Sequence, residues 1–232
     1  AKILEGGIAY IRLVEFREGT PGDFELALGN LKKEGMDSLI LDLRNNPGGL
    51  LDIAVRIAEK FMEKGKLVIS TKGRKENQNM EFMSGETNPY LDIPLVVLVN
   101  DGSASGSEIV AGCLKDYKRA IILGTETFGK GSVQTVIPLS DGSALRLTTS
   151  KYFTPLGSAI HGKGIIPDVI VEQPEVEVMA QKTEEKPEDI FEELQEKEVL
   201  KPPLKEYSDD YQLMRAVDLL KAIKIYKEFS KT

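Results

Sequence analysis

The sequence predicts an α/β domain in which buried strands alternate with amphipathic helices, and three features predict it. Asp37-Ser-Leu-Ile-Leu-Asp-Leu43 and Pro94-Leu-Val-Val-Leu-Val99 are short, nearly continuous apolar runs of the kind covered on both faces in a parallel sheet. Each is followed by a turn rich in small residues and then by a stretch with helical spacing. Further on the texture becomes antiparallel, with alternating segments on either side of Ser140-Asp-Gly142 that predict a hairpin.

Taken in order, Gly7-Ile-Ala-Tyr-Ile-Arg-Leu13 reads as a strand, and Thr20-Pro-Gly-Asp23 supplies a cap, a first-turn proline and a capping-box acid for a helix that Gly35 stops. After the 37–43 strand and the turn Arg44-Asn-Asn-Pro-Gly-Gly49, apolar Ile53, Ala54, Ile57, Ala58 and Phe61 predict a helix over 51–64. Leu67-Val-Ile-Ser-Thr71 returns as a strand, giving repeated βαβ. The polar, aperiodic stretch 72–92 is expected to be a long loop or hairpin of the sort that borders binding sites. A helix follows Ser105, Arg119-Ala-Ile-Ile-Leu-Gly124 is a further buried strand, and 164–171 a closing one. Residues 172–208 are dense in Glu and Lys and read as a solvated or mobile segment. From 209 a stripe of Leu213, Ala216, Val217, Leu220 and Ile223 predicts a C-terminal helix docking back on the domain.

At 232 residues and 41% hydrophobic content, the chain can bury a sizeable core. Its net charge of −7, with no basic stripe, argues against nucleic acid as the main partner. The single cysteine, Cys113, excludes an internal disulfide and a Cys-rich metal site, so no metal or cofactor is expected. No apolar run approaches the ~18 residues that span a bilayer, and the first residues lack a signal-peptide core, so the chain is expected to be soluble as given.

The chemistry concentrates at Asn100-Asp-Gly-Ser-Ala-Ser105-Gly-Ser-Glu108, where a buried strand hands over to a helix. Ser105 is either a nucleophile or only an N-cap, because Ser105-Gly-Ser-Glu108 also fits a capping box. A serine needs a base, and the one histidine, His161, lies in a loop-like glycine-rich stretch that suggests a surface role. A desolvated lysine can serve instead, and the candidate is Lys130 in Thr127-Phe-Gly-Lys-Gly-Ser132, whose aromatic and glycine neighbours would let it be buried. Gln134 would share a face with Lys130 in an extended segment and could hold its amine. Two rival readings of Lys130 stand: a surface lysine in a glycine turn, or part of a phosphate loop, since Gly124 to Lys130 nearly fits that motif. Gly131 replaces the motif's hydroxyl residue, however, and the sequence continues as β. The Gly106 amide at a helix start, with Gly48 or Gly49, could receive an oxyanion; alternatively Pro47-Gly48-Gly49 is an ordinary tight turn.

Together, Leu41-Asp-Leu-Arg-Asn-Asn-Pro-Gly-Gly49, Ser103-Ala-Ser-Gly-Ser-Glu-Ile109, Thr127-Phe-Gly-Lys-Gly-Ser-Val-Gln134 and Gly164-Ile-Ile-Pro-Asp168 resemble the signature segments of the C-terminal processing (tail-specific) serine peptidases. The resemblance implies Ser105 as nucleophile, Lys130 as general base and Gln134 as its orienting residue, with Gly48 or Gly49 and Gly106 as oxyanion donors. It implies a ClpP/crotonase-like ββα superhelix with an antiparallel hairpin and a C-terminal helical extension, organised as a peptidase core over 1–171, the acidic segment 172–208 and the helix over 209–232. Implied partners are protein or peptide substrates with flexible C-terminal tails, and a homo-oligomer is left open. The family setting suggests an exported, extracytoplasmic protein lacking its signal segment. Gly106 stands where the family often has Ala, and no stretch is left over for the family's usual tail-reading PDZ module. The alternative from another class is a binding or scaffold protein that keeps the fold with an inactive or unassembled site.

Overall fold

A computed structural model of the chain describes residues 1–173 and 207–229. In chain order its elements are β1 (Lys2–Ile3), β2 (Ile8–Arg12), α1 (Thr20–Lys33), β3 (Ser38–Asp42), α2 (Leu51–Ala58), β4 (Leu67–Gly73), β5 (Met80–Met83), β6 (Leu95–Val99), α3 (Gly106–Asp116), β7 (Ile121–Gly124), β8 (Ser132–Pro138), β9 (Ala144–Phe153), β10 (Val169–Ile170) and α4 (Tyr211–Phe229). Most of the acidic stretch expected over 172–208 lies outside the described residues.

The strands form a six-stranded sheet in the order β1-β2-β3-β6-β7-β10 and a four-stranded sheet in the order β5-β4-β9-β8. In the first, β1 is antiparallel to β2 and every other neighbouring pair is parallel. β3 and β6 are buried at every position, as strands covered on both faces must be. One face packs Leu39, Leu41, Leu95 and Val97 against Phe24 and Leu28 of α1, Ile53 and Ile57 of α2 and Val110 and Leu114 of α3. The other packs Ile8, Ile40, Val96, Leu98 and Leu123 against Leu213, Ala216, Val217 and Leu220 of α4. Each fully buried Leu or Val there contributes about 1.5–3 kcal/mol, so the stripe that predicts the helix also fastens it.

Several expectations change in detail. Thr20 is the first residue of α1 rather than its cap: Gly19 is the N-cap, and the Thr20 hydroxyl accepts the Arg17 N–H at 3.0 Å. α2 ends at Ala58 and continues as a 3₁₀ turn at Glu59–Phe61. β4 does not join the parallel sheet but pairs antiparallel with β5 and β9, so the βαβ repeat breaks there. The 72–92 stretch includes β5, and its distal part is tied down away from the turn after β6. Lys60 pairs with Glu86 at 2.6 Å, the Tyr90 N–H reaches the Lys60 carbonyl at 2.7 Å, and the chain then enters β6 at its N-terminal end. The β8–β9 hairpin projects toward solvent, with Val136, Ile137, Leu145 and Leu147 exposed.

Because β2, β3, β6 and β7 are parallel, their carboxyl ends share one edge, where ligands of open α/β sheets are usually bound. The turns after β3 and β6 emerge there side by side.

Candidate active site

Ser105 sits immediately before α3 with φ 53 and ψ −108, a backbone conformation that side-chain-bearing residues rarely adopt. A sharp strand-to-helix turn of this kind lifts a nucleophile out of the chain, and strain that persists at a non-glycine residue must be held by its surroundings. Ser103, fully buried, donates from Oγ to the Leu43 carbonyl at 2.8 Å and accepts the Asn100 N–H at 3.0 Å. Asn100 in turn accepts the Asn45 N–H at 2.8 Å and donates to Asn45 Oδ1 at 2.9 Å. The turn after β6 is thereby locked to the turn after β3.

Gly48 touches the Ser105 turn directly. Its φ is 102, and a Cβ there would lie 2.7 Å from both Ser105 Cβ and the Gly106 nitrogen, so no other residue fits. The Gly48 N–H is occupied, donating to Asn46 Oδ1 at 2.9 Å. Gly49 forms a parallel bridge with Phe16, in which Phe16 N–H reaches the Gly48 carbonyl and Leu50 N–H reaches the Phe16 carbonyl. That pattern turns the Gly49 N–H away from Phe16. Among the described residues, neither the Gly49 nor the Gly106 N–H has an acceptor. A tight turn would need neither the Gly48 contact nor the open amides.

Glu108 lies three residues into this helix start and is fully buried. The carboxylate half of the capping box expected from the sequence forms: its Oε2 accepts the Ser105 N–H at 2.8 Å, while the Glu108 N–H goes to the Ser105 carbonyl at 3.0 Å. The same oxygen accepts the Lys130 N–H at 2.9 Å, and Oε1 accepts the Thr127 hydroxyl at 2.6 Å and the Gly129 N–H at 2.7 Å. A charge without solvent is tolerable when its lone pairs are filled in this way. The carboxylate therefore joins the serine turn to the lysine loop.

The Lys130 side chain, expected to be buried, is exposed, and among the described residues its amine makes no hydrogen bond or ion pair with Ser105 or Gln134. The reason lies in the flanking glycines. They admit backbone rather than the lysine: a Cβ on Gly131 would fall 2.3 Å from the His161 nitrogen, and Gly129, at φ 85, faces the amides of Gly162, Lys163 and Gly164. Gln134 is also exposed, and a register shift between Val133 and Gln134 interrupts the alternation that would align it with Lys130. His161 is exposed on the loop packed behind Gly131. The phosphate-loop reading fails, because the strand β8 rather than a helix follows Gly131. Cys113 is no rival nucleophile: it is fully buried in α3, and burial pushes its thiol up to about 12. Among the described residues no group of His, Cys, Asp and Glu could hold a metal ion.

The structure thus brings together Ser105, Gly106, Gly48 and Gly49, and places the Lys130 backbone, though not its amine, in the same network. Sequence reasoning sees Glu108 only as a cap and misses Asn46 and Asn100. Most of their partners lie in other segments, and the one available signal is an Asn in the turn that follows each buried strand.

The sequence matches the model of peptidase family S41 over residues 7–171. The chain belongs to peptidase family S41. It is 50% identical over 175 residues to a carboxy-terminal-processing protease of Bartonella bacilliformis, covering 74% of this chain and 40% of that protein. It is 43% identical over 170 residues to a protein of Staphylococcus aureus named a probable CtpA-like serine protease, covering 73% and 34% respectively. Among solved structures, a photosystem II D1 C-terminal processing protease superposes with a TM-score of 0.65 at 38% identity, covering 71% of this chain and 43% of that one. The chain therefore spans about two fifths or less of the curated relatives it matches. The family match ends at residue 171, so α4 and its contacts with the sheet lie beyond it.

Proposed function

We propose that this S41 chain is a serine endopeptidase unit that cleaves proteins or peptides near their C-termini through an acyl-enzyme on Ser105. The observation that carries the reading is the contact between Gly48 and the strained Ser105–Gly106 turn, where among the described residues the Gly106 N–H and the N–H of the adjoining Gly49 have no acceptor. In the proposed reaction, Ser105 Oγ attacks the scissile carbonyl carbon while its proton passes to the Lys130 amine. The negative charge on the carbonyl oxygen is held by the Gly106 N–H and by Gly49, since the Gly48 N–H is already engaged. Collapse breaks the C–N bond as the leaving amine takes the proton from Lys130, and water then hydrolyses the ester by the same route. Gln134 orients the amine. Lys130 reaches Ser105 only after its exposed side chain folds inward, which substrate in the cleft would favour by excluding water.

The same proposal assigns 1–171 to the peptidase core and 209–232 to a docking helix, and takes the repeated strand–helix units with the second sheet as a ClpP/crotonase-like superhelix. Its substrates would be flexible tails, in the extracytoplasmic setting that the family resemblance suggests. No helix among the described residues is long and apolar enough to cross a membrane.

A serine-reactive fluorophosphonate probe tests the reading. Ser105 should be labelled and Ser105→Ala should not, and peptide cleavage should disappear with the label. The exposed Lys130 favours a second reading, a binding protein with an unassembled site. Under that reading neither chain would be labelled, while both would bind the same peptides.

A further inference from the structure

Asn46 lies at the junction of the turns that build the candidate site, and its side chain is fully buried. Its Nδ2 donates to the Leu13 carbonyl at 2.8 Å, just past β2, and its Oδ1 accepts the Gly48 N–H at 2.9 Å. Its own carbonyl accepts the Ala104 N–H at 3.0 Å and the Ser107 hydroxyl at 2.9 Å, on the two sides of Ser105. One residue thus ties the end of β2, the glycine turn and both flanks of the nucleophile together. An aspartate of the same shape could not do this, because a carboxylate oxygen would face the Leu13 carbonyl where the amide now donates.

We propose that Asn46 is a positioning residue of the acyl-transfer step: by capturing the Gly48 N–H it presents the Gly49 N–H to the oxyanion, and its carbonyl holds that donor at a fixed distance from Ser105. This rests on the peptidase reading above. The physical reason for such a device is that an oxyanion donor acts only if it is aimed before charge develops, and a glycine-rich turn has too much freedom to aim itself. With Gly48 at φ 102 and Gly49 at φ 148, both outside the range of ordinary residues, the turn cannot be stiffened by substitution. It has to be held from outside, and Asn46 holds it on one side and the nucleophile turn on the other.

The test combines amide exchange and labelling kinetics on the full chain, Asn46→Ala and Asn46→Asp, with Leu28→Ala in α1 as a destabilised control distant from the site. In the unmutated chain the Gly48 N–H should exchange with solvent more slowly than the Gly49 N–H, and Asn46→Ala should accelerate Gly48 exchange while the β3 and β6 amides stay protected. Fluorophosphonate labelling of Ser105 should slow by about a hundredfold in the limiting rate, the scale of losing an oxyanion donor, with little change in the probe concentration for half-saturation. Leu28→Ala should label at the unmutated rate wherever it is folded. Equal exchange at Gly48 and Gly49 in the unmutated chain overturns the inference without any variant. So does labelling of folded Asn46→Asp at the unmutated rate, or loss in Leu28→Ala to the same degree. If the unmutated chain is not labelled, the peptidase reading itself has failed, and the inference falls with it for that separate and recognisable reason.

Discussion

Glu108 Oε2 accepts the Lys130 N–H at 2.9 Å and, through the same oxygen, the Ser105 N–H at 2.8 Å. One buried carboxylate therefore spans the two loops that the proposed chemistry must bring together. Glu108→Gln should destabilise the chain, because an amide can replace only one acceptor oxygen and sets its own donors against N–H groups. Each buried donor left unpaired costs about 1–3 kcal/mol. Urea unfolding should show the loss, and cleavage measured where the variant is still folded should fall as well. An unchanged unfolding midpoint would mean that the loops do not depend on this bridge.

The strain at Ser105 gives a comparison that cancels the lost hydroxyl. Both Ser105→Ala and Ser105→Gly should be inactive, but at φ 53 and ψ −108 the Ala keeps the unfavourable Cβ while Gly does not. The Gly variant should be the more stable of the two by about 1 kcal/mol, the lower end of what such residues store. Equal stabilities would show that the turn relaxes freely. Ser107→Ala should also cost stability, since its buried hydroxyl donates to the Asn46 carbonyl at 2.9 Å.

Lys130 should separate activity from stability. Its side chain is exposed and unpaired among the described residues, so Lys130→Ala should change folding stability by less than about 0.5 kcal/mol while abolishing turnover. Lys130→Arg should be equally inactive, because a guanidinium does not release a proton at working pH. Turnover by the Arg variant would exclude Lys130 as the base.

What the sequence conveys and what it withholds divide along local and long-range contacts. Apolar runs are self-announcing because burial on both faces demands them, so β3 and β6, the serine turn between β6 and α3, and the docking face of α4 are all legible. The capping box is legible because Ser105 and Glu108 are adjacent on one helical turn. The other partners of Glu108, at Thr127, Gly129 and Lys130, belong to another loop, and no periodicity connects them. Lys130 misleads for a related reason. Glycines on both sides suggest room to bury a lysine, but that room is taken by the backbone of residues 160–164.

The last expectation concerns α4, whose first turn is held by charge as well as packing. Arg44 Nη2 lies 2.7 Å from Asp42 and 2.6 Å from Asp210, and Arg44 Nη1 also reaches Gln212 at 3.1 Å. Burial works to raise the Asp210 carboxyl, but the hydrogen bonds from Arg44 and from the Leu213 N–H, with the Arg44 charge, outweigh it and hold it below the usual carboxylate range. A carboxyl depressed in the folded state stabilises fully above its unfolded value, about 3.9. That contribution is lost as pH falls through the folded value. Docking of α4 should therefore be insensitive to pH at neutrality and weaken only below about pH 4, where the undocked carboxyl takes up a proton that the docked one still refuses. Asp210→Asn should remove this acid-dependent step and loosen α4 already at neutral pH. Because Arg44 begins the turn that carries Gly48 and Gly49, loosening should also slow Ser105 labelling. Amide exchange along α4 as a function of pH, in both chains, measures the first effect, and fluorophosphonate labelling measures the second. Exchange that accelerates equally in the Asn variant and the unmutated chain as acid is added would place the acid-sensitive group elsewhere.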